Sequence, residues 1–211
     1  MNDYTLDPKA AQQADTIFAK IEQKGKYIGT LTRAEAVTSS KGTKGIDLSF
    51  KAETGETADY LTLWTHNAEG KQIMGFNVLM AIMTCLRIKT LNAENGVIEK
   101  YDQDQAKRVK VEVPLFKDLM NKPIGLLLQM EEYPKKAGGT GWKPVIASIF
   151  DKDGFVATEI LNQSKAATTL PKMVAALRDK PLKGGNVVLD NHASAGHGGS
   201  AADEFLNDIP F

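Results

Sequence analysis

Apolar residues recur at spacings of three and four between Pro8 and Gln23. Ala10, Ala11, Ala14, Ile17, Phe18 and Ile21 line one face, which predicts a helix over 8–23. The period then changes to two. Residues 27–33 read as extended, Ile46-Asp47-Leu48-Ser49-Phe50 alternates strictly as a half-buried strand does, and Tyr60-Leu61-Thr62-Leu63-Trp64 is a third strand. Ser39–Gly45 has loop composition and Thr54-Gly55-Glu56 turns the chain, so the three strands predict an antiparallel meander. Helical spacing returns over Gly75–Arg87, with Val78, Leu79, Ile82, Met83 and Leu86 on the apolar side. Residues 97–113 suggest an irregular strand pair around Asp102-Gln103-Asp104, and Pro114–Asn121 a short helix. Ile124–Met130 and Val145–Phe150 are the most apolar strands. They flank a Lys/Gly loop, and residues 171–180 form a last helix. The pattern as a whole predicts a mixed, mainly antiparallel β fold with added helices.

Composition divides the chain. Residues 184–202 are rich in Gly, Ala, Ser and Asn and bury too little apolar surface to offset the entropy of ordering, so they read as a flexible linker. The last nine residues differ. Asp203, Glu204 and Asp208 supply acid, and Phe205, Leu206, Ile209, Pro210 and Phe211 supply an apolar end. This is the composition of a docking motif for a basic-rimmed pocket on another protein. The expected organisation is a folded domain over 1–183, a linker over 184–202 and an interaction tip over 203–211. Four of the 26 acids lie beyond Lys183 and none of the 26 bases does, so residues 1–183 carry a net charge of +4. A mildly basic body with an acidic end suits a nucleic-acid binder with an internal competitor. No apolar run approaches the ~20 residues of a membrane span, and Met1-Asn2-Asp3-Tyr4 lacks a basic leader, so no membrane partner is expected. Cys85 is the single cysteine, which excludes an internal disulfide framework and suits a reducing cytoplasm.

The tip, Asn207-Asp208-Ile209-Pro210-Phe211, resembles the acidic Asp-Asp-Asp-Ile-Pro-Phe end of bacterial single-stranded DNA-binding proteins, with Asn207 in place of one acid. The body is similar to a family of phage-encoded single-stranded DNA-binding proteins. The stretches that carry this are Lys24–Gly29, Ser40–Ile46, Leu61–Thr65 and Gly125–Gln129. The resemblance implies an OB-fold-like barrel, single-stranded DNA as partner, and replication or recombination proteins recruited through the tip. It places the protein in the cytoplasm of an infected bacterial host. A homodimer is compatible with it.

Sequence-independent binding of single strands needs cations along the phosphates and aromatic rings under the bases. Alternation puts Leu61 and Leu63 on one face of the third strand and Tyr60 and Trp64 on the other, which makes the two rings a candidate stacking platform. The same parity puts Tyr27 and Arg33 on one face of the first strand. Lys24, Lys26, Arg33, Lys41 and Lys44 form a basic set within twenty-one residues, opposed only by Glu35. Lys135, Lys136, Trp142 and Lys143 sit in a glycine-rich hairpin that suits closing over a strand. Lys107 and Arg108, beside Tyr101, are a third candidate. For each side chain the plain alternative is a solvated lysine or a packed ring.

Catalysis has no visible constellation. His192 and His197 fall in the linker, His66 precedes a turn and reads as solvated, and Cys85 lies inside an apolar helix without ligand spacing. Gly138–Lys143 lacks the spacing of a phosphate-binding loop. The expectation is a non-enzymatic protein without cofactor or metal that coats single strands. Two alternatives remain: a strand-annealing recombination factor, and an adaptor that uses the tip without binding DNA.

Overall fold

The computed structural model describes residues 5, 6, 8, 20–102 and 107–182. The structure is mainly antiparallel β with a few helices, as the periodicity predicts. Strands β1 (Gly25–Thr38), β2 (Lys44–Ala52) and β3 (Thr57–His66) form the meander, and α1 (Met74–Cys85) follows. Next come the hairpin β4 (Glu94–Asp102) and β5 (Lys107–Leu115), a 3₁₀ turn (Lys117–Leu119), and the hairpin β6 (Pro123–Pro134) and β7 (Thr140–Phe150). Two short helices, α2 (Ala157–Leu161) and α3 (Thr169–Ala176), end the described chain. The strand order is β3-β2-β1-β5-β4, with β6 also on β1 and β7 on β6.

The core shows why these segments pair. Leu31, Ala34, Ile46, Leu48, Phe50, Leu61 and Leu63 from the meander meet Ile124, Leu126, Leu128 and Ile149 from β6 and β7. Leu79, Ile82 and Cys85 of α1 pack into the same cluster. Burying this contiguous apolar surface is the main favourable term in folding. A second, smaller cluster joins Phe150, Val156 and Leu170 with Ile28 and Met173.

The helix predicted over 8–23 does not reach Gln23: Lys20 bridges Thr57, and the Ile21 N–H donates to the Thr57 carbonyl at 2.8 Å. Ile21 is buried in the main core, so this segment is extended along β3 instead of helical. Residues 9–19 lie outside the described residues. β2 is buried on both faces, not half-buried, because its outward Asp47 and Ser49 are also covered. Tyr27 and Arg33 do not share a face. A β-bulge between Leu31 and Arg33 inserts one unpaired residue and resets the alternation. Tyr27 then packs against the core, whereas Arg33 points outward opposite Ser49.

The β4–β5 pair is regular, with nine residue pairs from Glu94↔Leu115 to Asp102↔Lys107. Pro114 and Leu115 belong to β5, which leaves only a 3₁₀ turn where a helix was expected. The last helix ends at Ala176, and Lys180 instead bridges Glu131 in β6. Helix α2 was not foreseen; five residues are too few to show a helical period. Among the described residues the sheet does not close as a barrel. The edges of β3 and β7 approach one another but share no ladder.

Candidate functional site

The open seam between β3 and β7 is a cleft of about 360 Å³. Tyr60, Thr62 and Trp64 of β3 line one side, and Lys143, Val145 and Ile146 of β7 line the other. The two aromatic rings point outward, as strand alternation requires once Leu61 and Leu63 fill the core. Tyr60 is 76% exposed and Trp64 38%.

Each ring is held by a specific neighbour. Trp64 pairs with Gly45 of β2, and a Cβ at Gly45 would fall 2.9 Å from Trp64 Cε3. The indole therefore lies over bare backbone on one side and stays open on the other. Tyr60 sits in a second bulge, where Asp59 and Tyr60 together oppose Ser49. Its φ of 60° is in the left-handed region, which costs a non-glycine residue on the order of 1–3 kcal/mol. The Arg33 guanidinium lies 5.5 Å from the Tyr60 ring centroid, within cation–π range.

Beneath the rings is a polar network that spans the meander. Arg33 of β1 forms an ion pair with Asp47 of β2, and Thr62 Oγ1 of β3 donates to Asp47 Oδ1 at 2.7 Å. The Arg33 side chain is only 16% exposed. Nearby, Lys100 of β4 donates to the buried Glu35 carboxylate at 2.6 Å. Sequence reasoning misses the part played by Asp47 and Thr62 and treats Glu35 only as the acid opposing the basic set. The strict alternation around Asp47 was the available signal, since a carboxylate between Ile46 and Leu48 must lie on the outer face.

The remaining candidates scatter. Lys41 sits in the β1–β2 loop, where the Ser39 hydroxyl accepts from the N–H groups of Lys41 and Thr43. Lys44 opens β2 and pairs with His66. Lys24 is at the opposite end of β1, bonded to Asp179 at 3.3 Å. Fourteen strand residues, at roughly 3.3 Å each, separate Lys24 from the loop, so the basic set contiguous in sequence is divided in space. Lys26 is exposed in the half of β1 that pairs with β6. Tyr27 donates its hydroxyl to the Gln23 carbonyl at 2.9 Å, and burial followed by the Glu56 charge raises its pKa. Lys107 and Arg108 are exposed on the β4–β5 ribbon.

Lys135 and Lys136 are exposed at the β6–β7 turn, where Gly138 and Gly139 take positive φ. Trp142, on the same hairpin, is 49% exposed. Lys143 alone of this hairpin group lines the cleft, paired with Glu131 at 3.1 Å. His66 is not a solvated turn residue: it ends β3, edge-on to Phe76 with centroids 5.5 Å apart. Residues 203–211 lie outside the described residues.

Among the described residues, no three His, Cys, Asp or Glu side chains converge as metal ligands, and no helix is long and apolar enough to cross a membrane. No protein-family model matches this chain, and no curated protein matches it.

Proposed function

We propose that this protein binds single-stranded DNA without sequence preference, in the manner of phage single-stranded DNA-binding proteins, and recruits DNA-processing proteins through residues 203–211. The observation that carries this reading is the pair of outward rings, Tyr60 and Trp64, on one strand at the rim of an open cleft, which Lys143 also lines together with its ion-pair partner Glu131. Bases stack on such rings with little regard to identity, because every base has a π face. Lys41, Lys44, Lys135 and Lys136 are exposed and carry the charge that phosphate contacts need. The tip supplies the recruiting part on its sequence alone: acids followed by Ile209, Pro210 and Phe211. In this role the protein does no chemistry on the bound strand.

Titration with oligo(dT), read by tryptophan fluorescence at increasing salt, tests it. Quenching is expected, since Trp64 and Trp142 are the only tryptophans and both are partly exposed. Affinity should fall with salt at a log–log slope of about −0.7 per phosphate contact. Trp64→Ala should cost on the order of 1–3 kcal/mol of binding. Absence of binding at low salt would remove the proposal and favour the adaptor.

A further inference from the structure

Arg33 looks in sequence like a phosphate contact, yet the fold spends its charge internally. Its guanidinium faces Asp47, which Thr62 Oγ1 holds from the third strand at 2.7 Å. Arg33 Nε is enclosed and has no hydrogen-bond partner among the described residues. A phosphate reaching this group would have to displace a carboxylate held from two sides. The one surface the guanidinium does serve is the Tyr60 ring, 5.5 Å away.

Tyr60 is the complementary half of the arrangement. It is the most exposed aromatic residue among those described, and its backbone is in a conformation that tyrosine rarely adopts. Such a conformation persists only where the surroundings over-determine it. Here the bulge turns the residue off the regular strand path, and Arg33 takes up one side of the ring.

We infer that Arg33, Asp47 and Thr62 are positioning residues for Tyr60, holding its ring as a fixed platform on which a nucleobase stacks, and that Arg33 does not itself meet phosphate. This rests on the single-stranded DNA reading above. A ring already held loses less rotamer freedom on binding than a free surface tyrosine, so the same contact gives more affinity.

The test uses the full chain and fluorescence anisotropy of labelled oligo(dT) over a range of salt. Tyr60→Phe should bind as the wild type does, and Tyr60→Ala about 10-fold more weakly. The paired replacement Arg33→Met with Asp47→Leu removes both buried charges at similar volume, a change proteins often tolerate. It should weaken binding several-fold, leave the salt slope unchanged, and cause no further loss in a Tyr60→Ala background. A slope smaller by about 0.7 would mean that Arg33 contacts phosphate and would overturn the inference. An undiminished loss in the Tyr60→Ala background would overturn it as well. If the paired variant does not fold, Thr62→Val carries the comparison with and without Tyr60→Ala, with a smaller expected loss. Wild-type binding with no effect of Tyr60→Ala sinks the positioning role alone. No wild-type binding at any salt sinks the underlying reading with it.

Discussion

Glu159 is 6% exposed, and its carboxylate accepts from the N–H groups of Thr168 and Thr169, both at 2.8 Å, and of Val156 at 3.2 Å. Burial pushes this carboxyl up, but the backbone donors and a threonine hydroxyl outweigh it and hold its pKa at about 2, against an ordinary 4.5. A carboxyl depressed in the folded state contributes its full stability above the unfolded value, and that contribution is lost as pH falls from about 4.5 through 2. Glu159→Gln should therefore destabilise the protein at pH 7, with the deficit shrinking as pH approaches 2. Urea unfolding of both proteins at pH 7, 4 and 2.5 checks this, and a pH-independent deficit would contradict it. Cys85 shows the opposite balance. Burial, then the nearby Asp151 charge, pushes its thiol up to about 12, with Arg87 opposing. Only the thiolate is nucleophilic, so Ellman's reagent at pH 8 should leave the folded protein unmodified and react once it is unfolded in guanidinium.

At the scale of elements, one device recurs across the hairpins: a glycine directly opposite an aromatic residue. Gly45 faces Trp64, Gly125 faces Phe150, and Gly141 faces Tyr133. In each pair a Cβ on the glycine would run into the ring. The rings lie across the neighbouring strand, cover its bare backbone and pin the register, as an aromatic residue opposite a strand glycine does. Gly45→Ala should cost about 1–3 kcal/mol by overpacking, since its Cβ would meet the Leu63 carbonyl oxygen at 2.5 Å as well as the indole, and should shift the indole outward. A lower thermal midpoint with red-shifted tryptophan emission is the expected result; unchanged emission would mean that Trp64 does not rest on Gly45. Most strands were legible because their apolar residues alternate, and the outward placement of Tyr60 and Trp64 followed from that alternation. The bulges were not legible. Nothing in Ile28–Arg33 marks the inserted residue that puts Tyr27 and Arg33 on opposite faces, because pairing with Phe50 and Ser49 decides it.

For the whole molecule, the open seam matters most. A barrel closed by a β3–β7 ladder would occupy both strand edges; the seam instead leaves a cleft beside the exposed rings. If the acidic tip competes with DNA for this body, deleting residues 203–211 should tighten oligo(dT) binding and abolish recruitment of partner proteins. Unchanged binding and unchanged recruitment would remove the role given to the tip. The antiparallel class, the core leucines, the outward rings and the charge asymmetry between body and end are all readable from the order of amino acids. Each of these follows from local periodicity or composition, which the chain carries residue by residue. The tertiary arrangement settles that the basic set from Lys24 to Lys44 is divided, that Arg33 is neutralised by Asp47, and that Lys143 and Trp64 line one cleft. Those outcomes depend on register, bulges and which strand edges meet. Register is fixed by contacts between residues distant in the chain, so no local pattern records it.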